Sequence, residues 1–167
     1  MSKLSRIFKH LCAAPAARTF NARALEAIGA TIAACELQHS GEIMFAVEGD
    51  LPIRDIWRDV SARDRALAAF ANLHVWNTAQ NNGVLIYVLL AEHRIEIIAD
   101  RGFDAFVSVE QWRGVCQLME GQFQLGEHTE AVKRGIEAAS ELIAAHFPQQ
   151  AGTVDEDELP NPPRILR

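Results

Sequence analysis

Asn81-Asn82-Gly83-Val84-Leu85-Ile86-Tyr87-Val88-Leu89-Leu90 is the stretch that decides the fold. A β-rich apolar run bounded by Asn-Asn-Gly predicts a buried strand over 84–90. A short polar turn, Glu92-His93, follows. Arg94-Ile95-Glu96-Ile97-Ile98-Ala99 then alternates as a strand with one covered face does. So short a turn makes the two strands antiparallel neighbours. Asn82-Gly83 before the hairpin and Asp100-Arg101-Gly102 after it therefore fall at one edge of the sheet.

Upstream, Glu42-Ile43-Met44-Phe45-Ala46-Val47-Glu48 predicts another strand. Ser61 caps a helix running to about Leu73, with Leu67, Phe70 and Ala71 inward. A strand, a helix and a strand make the outer two parallel, by a right-handed crossover. Asn21 caps an earlier helix to about Gln38, with Leu25, Ile28, Ile32 and Cys35 as its apolar stripe. Ser108 with Gln111 forms a capping-box pattern before a helix through about Phe123, with Val115, Leu118 and Met119 inward. A last amphipathic helix spans Glu130 to His146 and stops at Pro148. The order predicts a three-layer α/β/α sandwich with a small mixed central sheet.

Three regions follow. Residues 1–20 are a basic segment, with Leu4, Ile7, Phe8 and Leu11 at helical spacing and Lys3, Arg6 and Lys9 off that stripe. Such a segment reads first as a terminal helix docked on the domain or a frayed arm, and otherwise as a weak contact to an anionic membrane or a partner. Residues 21–148 form the domain. Residues 149–167, with Asp155-Glu156-Asp157-Glu158 and prolines, read as a tail. It could fold back through Leu159, Ile165 and Leu166.

A length of 167 residues suits one domain with a real core. A net charge of −6 points away from nucleic acid, which calls for a basic face. Cys12, Cys35 and Cys116 have no metal spacing and no disulfide pattern, which suggests a reducing compartment. No apolar run approaches the ~20 residues of a spanning helix, and Lys9-His10 interrupts any signal-peptide core. The expectation is a cytoplasmic chain, at most peripheral to a membrane.

With this threading the start of the first strand lies at the same edge as Asn82. Glu42, Asn77, Asn82, Asp100 and Asp104 could then gather there. Their oxygens suit a hard cation such as calcium or magnesium. Asn and Asp also collect at strand ends because their side chains bond to turn backbone, so the pattern alone leaves both readings open.

At these residues the chain resembles the TPM-domain family, named from thylakoid-lumen, photosystem-repair and nematode receptor-associated members. The matching features are Ser40-Gly41-Glu42-Ile43, the run from Trp76 through Asn82-Gly83 to Val88, and Asp100-Arg101-Gly102 before a helix. Gly135-Ile136 to His146-Phe147-Pro148 also matches, and Asp157-Glu158-Leu159-Pro160-Asn161 is similar to the tail of small free-standing bacterial members. The resemblance covers roughly residues 20–165. It implies an α/β/α sandwich and divalent-cation binding near the Asn-Gly and Asp-x-Gly loops. It also implies either weak acid phosphatase activity or a role as a binding or assembly module for membrane complexes. Many members carry a signal peptide and a membrane helix, and this chain shows neither pattern.

Phosphatase chemistry needs a nucleophile or a metal-activated water. Cys12-Ala13-Ala14-Pro15-Ala16-Ala17-Arg18-Thr19 matches C-x5-R-T literally, but a phosphate loop calls for a strand before it and glycine within it. The six histidines show no ligand spacing, and no Gly-x-Ser-x-Gly elbow or Walker loop occurs. Arg101 could meet an anion. Trp57, Trp76 and Trp112 are spread out and read as packing residues. The sequence favours a non-enzymatic module binding calcium, a protein partner, or both. A weak metal-assisted acid phosphatase using the same edge is the alternative.

Overall fold

The computed structural model describes residues 3–149 and 158–166. Its elements are α1 (Lys3–Leu11), α2 (Ala16–Thr19), α3 (Ala22–Glu36), β1 (Glu42–Glu48), α4 (Ile53–Trp57), α5 (Ala62–Asn72), β2 (Gly83–Leu89), β3 (Arg94–Ala99), α6 (Val109–Gln124), α7 (His128–Ala144) and β4 (Arg164–Leu166). Short 3-10 turns cover Leu90–Glu92 and Arg101–Phe103. The sheet order is β3-β2-β1-β4. β1 runs parallel to both β2 and β4, and β2 runs antiparallel to β3.

Two apolar layers explain the order. Ile43, Phe45, Val47, Val84, Ile86 and Val88 face one way, onto α3, α6 and α7. Met44, Ala46, Leu85, Tyr87 and Leu89 face the other, onto α5, Leu51, Ile56 and Leu159. Every residue of β1 and β2 is buried, so a slip of one residue would exchange the two faces and is excluded. The sandwich therefore has helices on both faces of a mixed sheet, as the element order predicts.

Local chemistry sets the helix starts. The Asn21 side chain accepts from the Ala24 amide at 3.0 Å. Ser61 with Asp64 and Ser108 with Gln111 both form closed capping boxes. The hairpin turns through His93, whose φ of 51° is left-handed.

Several residues depart from their expected places. On α5 the inner positions belong to Ala62, Ala66 and Ala69, while Leu67 is half-exposed. Small side chains let α5 approach the sheet closely, which rotates the leucine out. Leu118 on α6 is likewise exposed, whereas Trp112, Val115 and Met119 are buried. Trp57 and Trp76 stand half-exposed, so only Trp112 packs as expected, edge-on to Phe103 with ring centroids 5.6 Å apart. The largest departure is α1. Of its stripe, Ile7 packs partly buried against the α5 layer, while Leu4, Phe8 and Leu11 are exposed, and the helix docks mainly through polar groups.

The chain's last described segment folds back. Leu159 is buried in the α5 layer, and β4 adds an edge strand with Ala46 opposite Arg164. The acidic run Asp155-Glu156-Asp157 lies outside the described residues.

Candidate cation-binding rim

Register brings the expected edge together. Glu42 stands opposite Gly83, and Val84 opposite Ala99. The loops beyond are then joined by backbone hydrogen bonds. The Asp100 amide donates to the Gly83 carbonyl at 2.9 Å, the Gly102 amide to the Asn81 carbonyl at 2.9 Å, and the Glu42 amide to the Asn82 carbonyl at 3.3 Å. Two glycines permit this approach. A Cβ on Gly83 would overlap the Val75 carbonyl oxygen, and one on Gly102 would overlap that of Asn81. Asn81 itself takes φ of 52°, a left-handed geometry that Asn tolerates better than most residues.

Asn82 is fully buried. Its Nδ2 donates to the Ser40 carbonyl at 2.7 Å, and its backbone amide donates to Thr78 Oγ1 at 3.0 Å. Its Oδ1 is buried without a hydrogen-bond partner among the described residues. Asp100 caps the following 3-10 turn through Oδ1, which accepts from the Arg101 amide at 2.8 Å. Its Oδ2 is likewise buried without a hydrogen-bond partner among the described residues. The rim thus holds two oxygens turned away from bulk water, on segments tied by two backbone hydrogen bonds.

The other three expected residues have different positions. Glu42 is buried at the rim, but on the face shared by Met44 and Ala46. Its Oε1 accepts from the Glu158 amide at 3.2 Å and its Oε2 from the Leu159 amide at 3.3 Å. Asn77 is exposed on the entering loop. Asp104 is exposed beyond the 3-10 turn and lines a separate cleft of about 380 Å³ with Arg63, Arg113 and Trp112. Among the described residues no three Asp, Glu, His or Cys side chains come together as a ligand group. Arg101, a candidate anion contact, turns its Nε to Asn81 Oδ1 at 3.0 Å.

Sequence reasoning missed the second ring of the rim. Thr78 fixes the Asn82 backbone, Ser40 holds the Asn82 amide group, and Glu158 reaches forward to accept from the Ala79 amide at 2.8 Å. Thr78 four residues before Asn82 was the one legible signal, since hydroxyls bond nearby backbone in turns. The contacts of Glu158 span 79 and 116 residues of chain, and no local pattern announces them.

The cysteines do not build a phosphate loop. Cys12 is exposed and follows helix α1 where a strand is needed, and α2 after it is one turn long. Burial holds the Cys35 thiol above its ordinary value, and it pushes Cys116 up to about 11, with Glu96 and Glu120 adding to the effect. Neither is a ready thiolate nucleophile.

A second polar cluster lies at the other end of the sheet. Glu48 is fully buried and accepts from Arg65 through two nitrogens, Nη2 to Oε1 at 2.6 Å and Nε to Oε2 at 2.8 Å. The Tyr87 hydroxyl donates to Oε2 at 2.6 Å. Burial first, and the Glu48 charge next, hold the Tyr87 phenol far above its ordinary value. This cluster joins β1, β2 and α5, and every member of it is committed to the others.

The comparisons agree with this architecture. The family model described as TPM domain matches residues 15–142. The NMR structure of the BA42 protein from the psychrophilic bacterium Bizionia argentinensis is similar, with a TM-score of 0.76 and 32% identity. The match covers 87% of this chain and 94% of that one. The solution NMR structure of the N-terminal domain of a protein from P. gingivalis shares the fold at a TM-score of 0.62 and 15% identity, over 89% and 94% of the two chains. A comparison with curated proteins gave no match.

Proposed function

Because the chain belongs to the TPM-domain family, we propose that it works as a binding module whose rim takes a divalent cation, calcium or magnesium. One observation carries this reading: Asn82 Oδ1 and Asp100 Oδ2 are both buried without a hydrogen-bond partner among the described residues. A buried acceptor left unmet costs about 1–3 kcal/mol, and a bound ion is among the standard explanations for such a group. An amide oxygen and a carboxylate oxygen are hard donors of the kind calcium and magnesium prefer. Backbone carbonyls and water would complete the shell, since Asn77 and Asp104 stand in the exposed flanking loops.

Glu42 has a conditional part in this proposal. It would add a second negative charge by giving up the Glu158 and Leu159 amides. Cation binding would then loosen the folded-back segment 158–166. A protein partner and cytoplasmic residence accompany the proposal on composition alone, from the acidic net charge and the unpaired cysteines. Among the described residues no helix is long and apolar enough to cross a membrane.

Calorimetric titration of the full chain with calcium chloride and magnesium chloride tests the proposal, with phosphate-ester turnover followed in parallel. Binding that weakens at least tenfold in Asp100→Asn, with no turnover, is the expected result. Asp100→Asn keeps the Oδ1 cap, so folding should persist. Turnover abolished by the same substitution would support the phosphatase alternative. Absence of binding by either cation would overturn the cation site.

A further inference from the structure

Helix α1 is attached mainly through its polar groups, with Ile7 of its apolar stripe packed partly buried on the domain. An amphipathic helix normally buries its apolar stripe and shows its charges. Here Lys3 donates to the Trp57 carbonyl and pairs with Asp59 at 2.7 Å. Arg6 donates to Glu92 and to the Val60 carbonyl, both at 2.6 Å. His10 is buried, accepting from the Leu51 amide through Nδ1 and facing Glu92 through Nε2, both at 2.9 Å. These ties hold the helix at fixed rotation. They leave Leu4, Phe8 and Leu11 75%, 69% and 67% exposed, while Ile7 packs partly buried against the α5 layer and Phe8 borders a cleft with Leu90 and Phe123. Ile53 and Trp57 of the adjoining α4 are also exposed, and Lys3 lies 6.0 Å from the Trp57 ring centroid.

From this geometry we infer that the outward face of α1, flanked by Ile53 and Trp57 of α4, docks on an anionic lipid surface. Charge selects lipid over a neutral apolar partner. Residues 1–20 hold four of the chain's 16 Lys and Arg and none of its 22 Asp and Glu. Asp59 and Glu92 beside α1 are paired with Lys3 and Arg6, and Asp55 of α4 is paired with Arg54. Lys9, exposed next to Phe8, remains to meet a lipid phosphate. A tryptophan with one wet edge suits the headgroup level, and leucine and phenylalanine on one side with lysine beside them is the pattern of a helix lying in the interface. The inference is independent of the cation site, which lies on loops that α1 does not touch through any of these bonds.

Sedimentation of the full chain with phosphatidylglycerol vesicles and with phosphatidylcholine vesicles tests it, alongside light scattering for oligomeric state. Binding to the anionic vesicles at least tenfold above the neutral ones is expected. The pair Leu4→Ser with Phe8→Ser should lower it at least tenfold while the melting curve stays in place, because both side chains are exposed. Lys9→Gln should lower it about fivefold. Equal binding to both vesicle types, no binding to either, or binding indifferent to the double substitution would overturn the inference. So would a wild-type dimer that becomes monomeric in Leu4→Ser/Phe8→Ser, since the stripe would then be an interface between two copies.

Discussion

Arg65→Met isolates the most heavily committed charge in the molecule. Glu48 has no exposed surface, and its cationic partner among the described residues is Arg65, which grips it through two nitrogens. Methionine keeps most of the arginine stem and removes the charge, leaving the carboxylate with the Tyr87 hydroxyl. Breaking one partner from a buried pair costs about 3–5 kcal/mol. The Arg65 side chain is 23% exposed, so water can reach the vacated space, and about 3 kcal/mol is expected. Tyr87→Phe removes one hydrogen bond to a charged acceptor and should cost about 1.5–3 kcal/mol. Urea unfolding at neutral pH measures both. A double variant, Glu48→Leu with Arg65→Met, should be more stable than Arg65→Met alone, because it removes the stranded charge. Tyr87 is the chain's single tyrosine, so phenolate absorbance reports on this site alone. Its folded value is raised, so its stabilising contribution is complete below the ordinary 10.0 and is lost as pH climbs above it. The phenolate should therefore appear only with unfolding. A cost below about 1 kcal/mol for Arg65→Met, or a folded Tyr87 that titrates at its ordinary value, would refute the reasoning.

Three further outcomes follow from the structure. Burial raises the Glu92 carboxyl, but hydrogen bonds from His10 and Arg6 outweigh it and hold the group below its ordinary 4.5; the stability gap between wild type and Glu92→Gln should be full above that pH and shrink as pH falls through the lowered value, read by urea midpoints across an acid series. Gly83→Ala should cost about 3 kcal/mol or more, since its Cβ would overlap the Val75 carbonyl and the backbone there is bonded to Asp100; a melting curve like the wild type's would contradict that contact. A thiol reagent at mildly alkaline pH should modify exposed Cys12 at once, Cys116 more slowly because its half-buried thiol is pushed up to about 11, and buried Cys35 only on denaturation, with the fast phase absent from Cys12→Ser.

Legibility in the sequence followed the range of the interaction. Capping at Asn21, Ser61 and Ser108 involves partners three residues away, and each was readable. Strands β1 and β3 have the expected bounds because their patterns are local. The gathering of Glu42, Asn82 and Asp100 at one edge was readable too, since a crossover and a hairpin leave little choice of strand direction. Side-chain direction within the rim was not. Glu42 turned to the folded-back segment, and Asp104 turned to a different cleft. Both outcomes depend on what packs against each face.

Alternating and helical periodicities determined the element order, the mixed sheet and the rim, because burying apolar faces on both sides of two strands admits few arrangements. Only the tertiary structure decided that α1 docks by Arg6 and His10 and shows its leucines, that alanines line α5, and that residues 158–166 close the sheet edge. A periodic pattern says that a helix has two unlike faces. Which of them the rest of the chain receives is set by its complementary groups, here Glu92, Val60 and Leu51, and they are brought opposite α1 only once the sheet has formed.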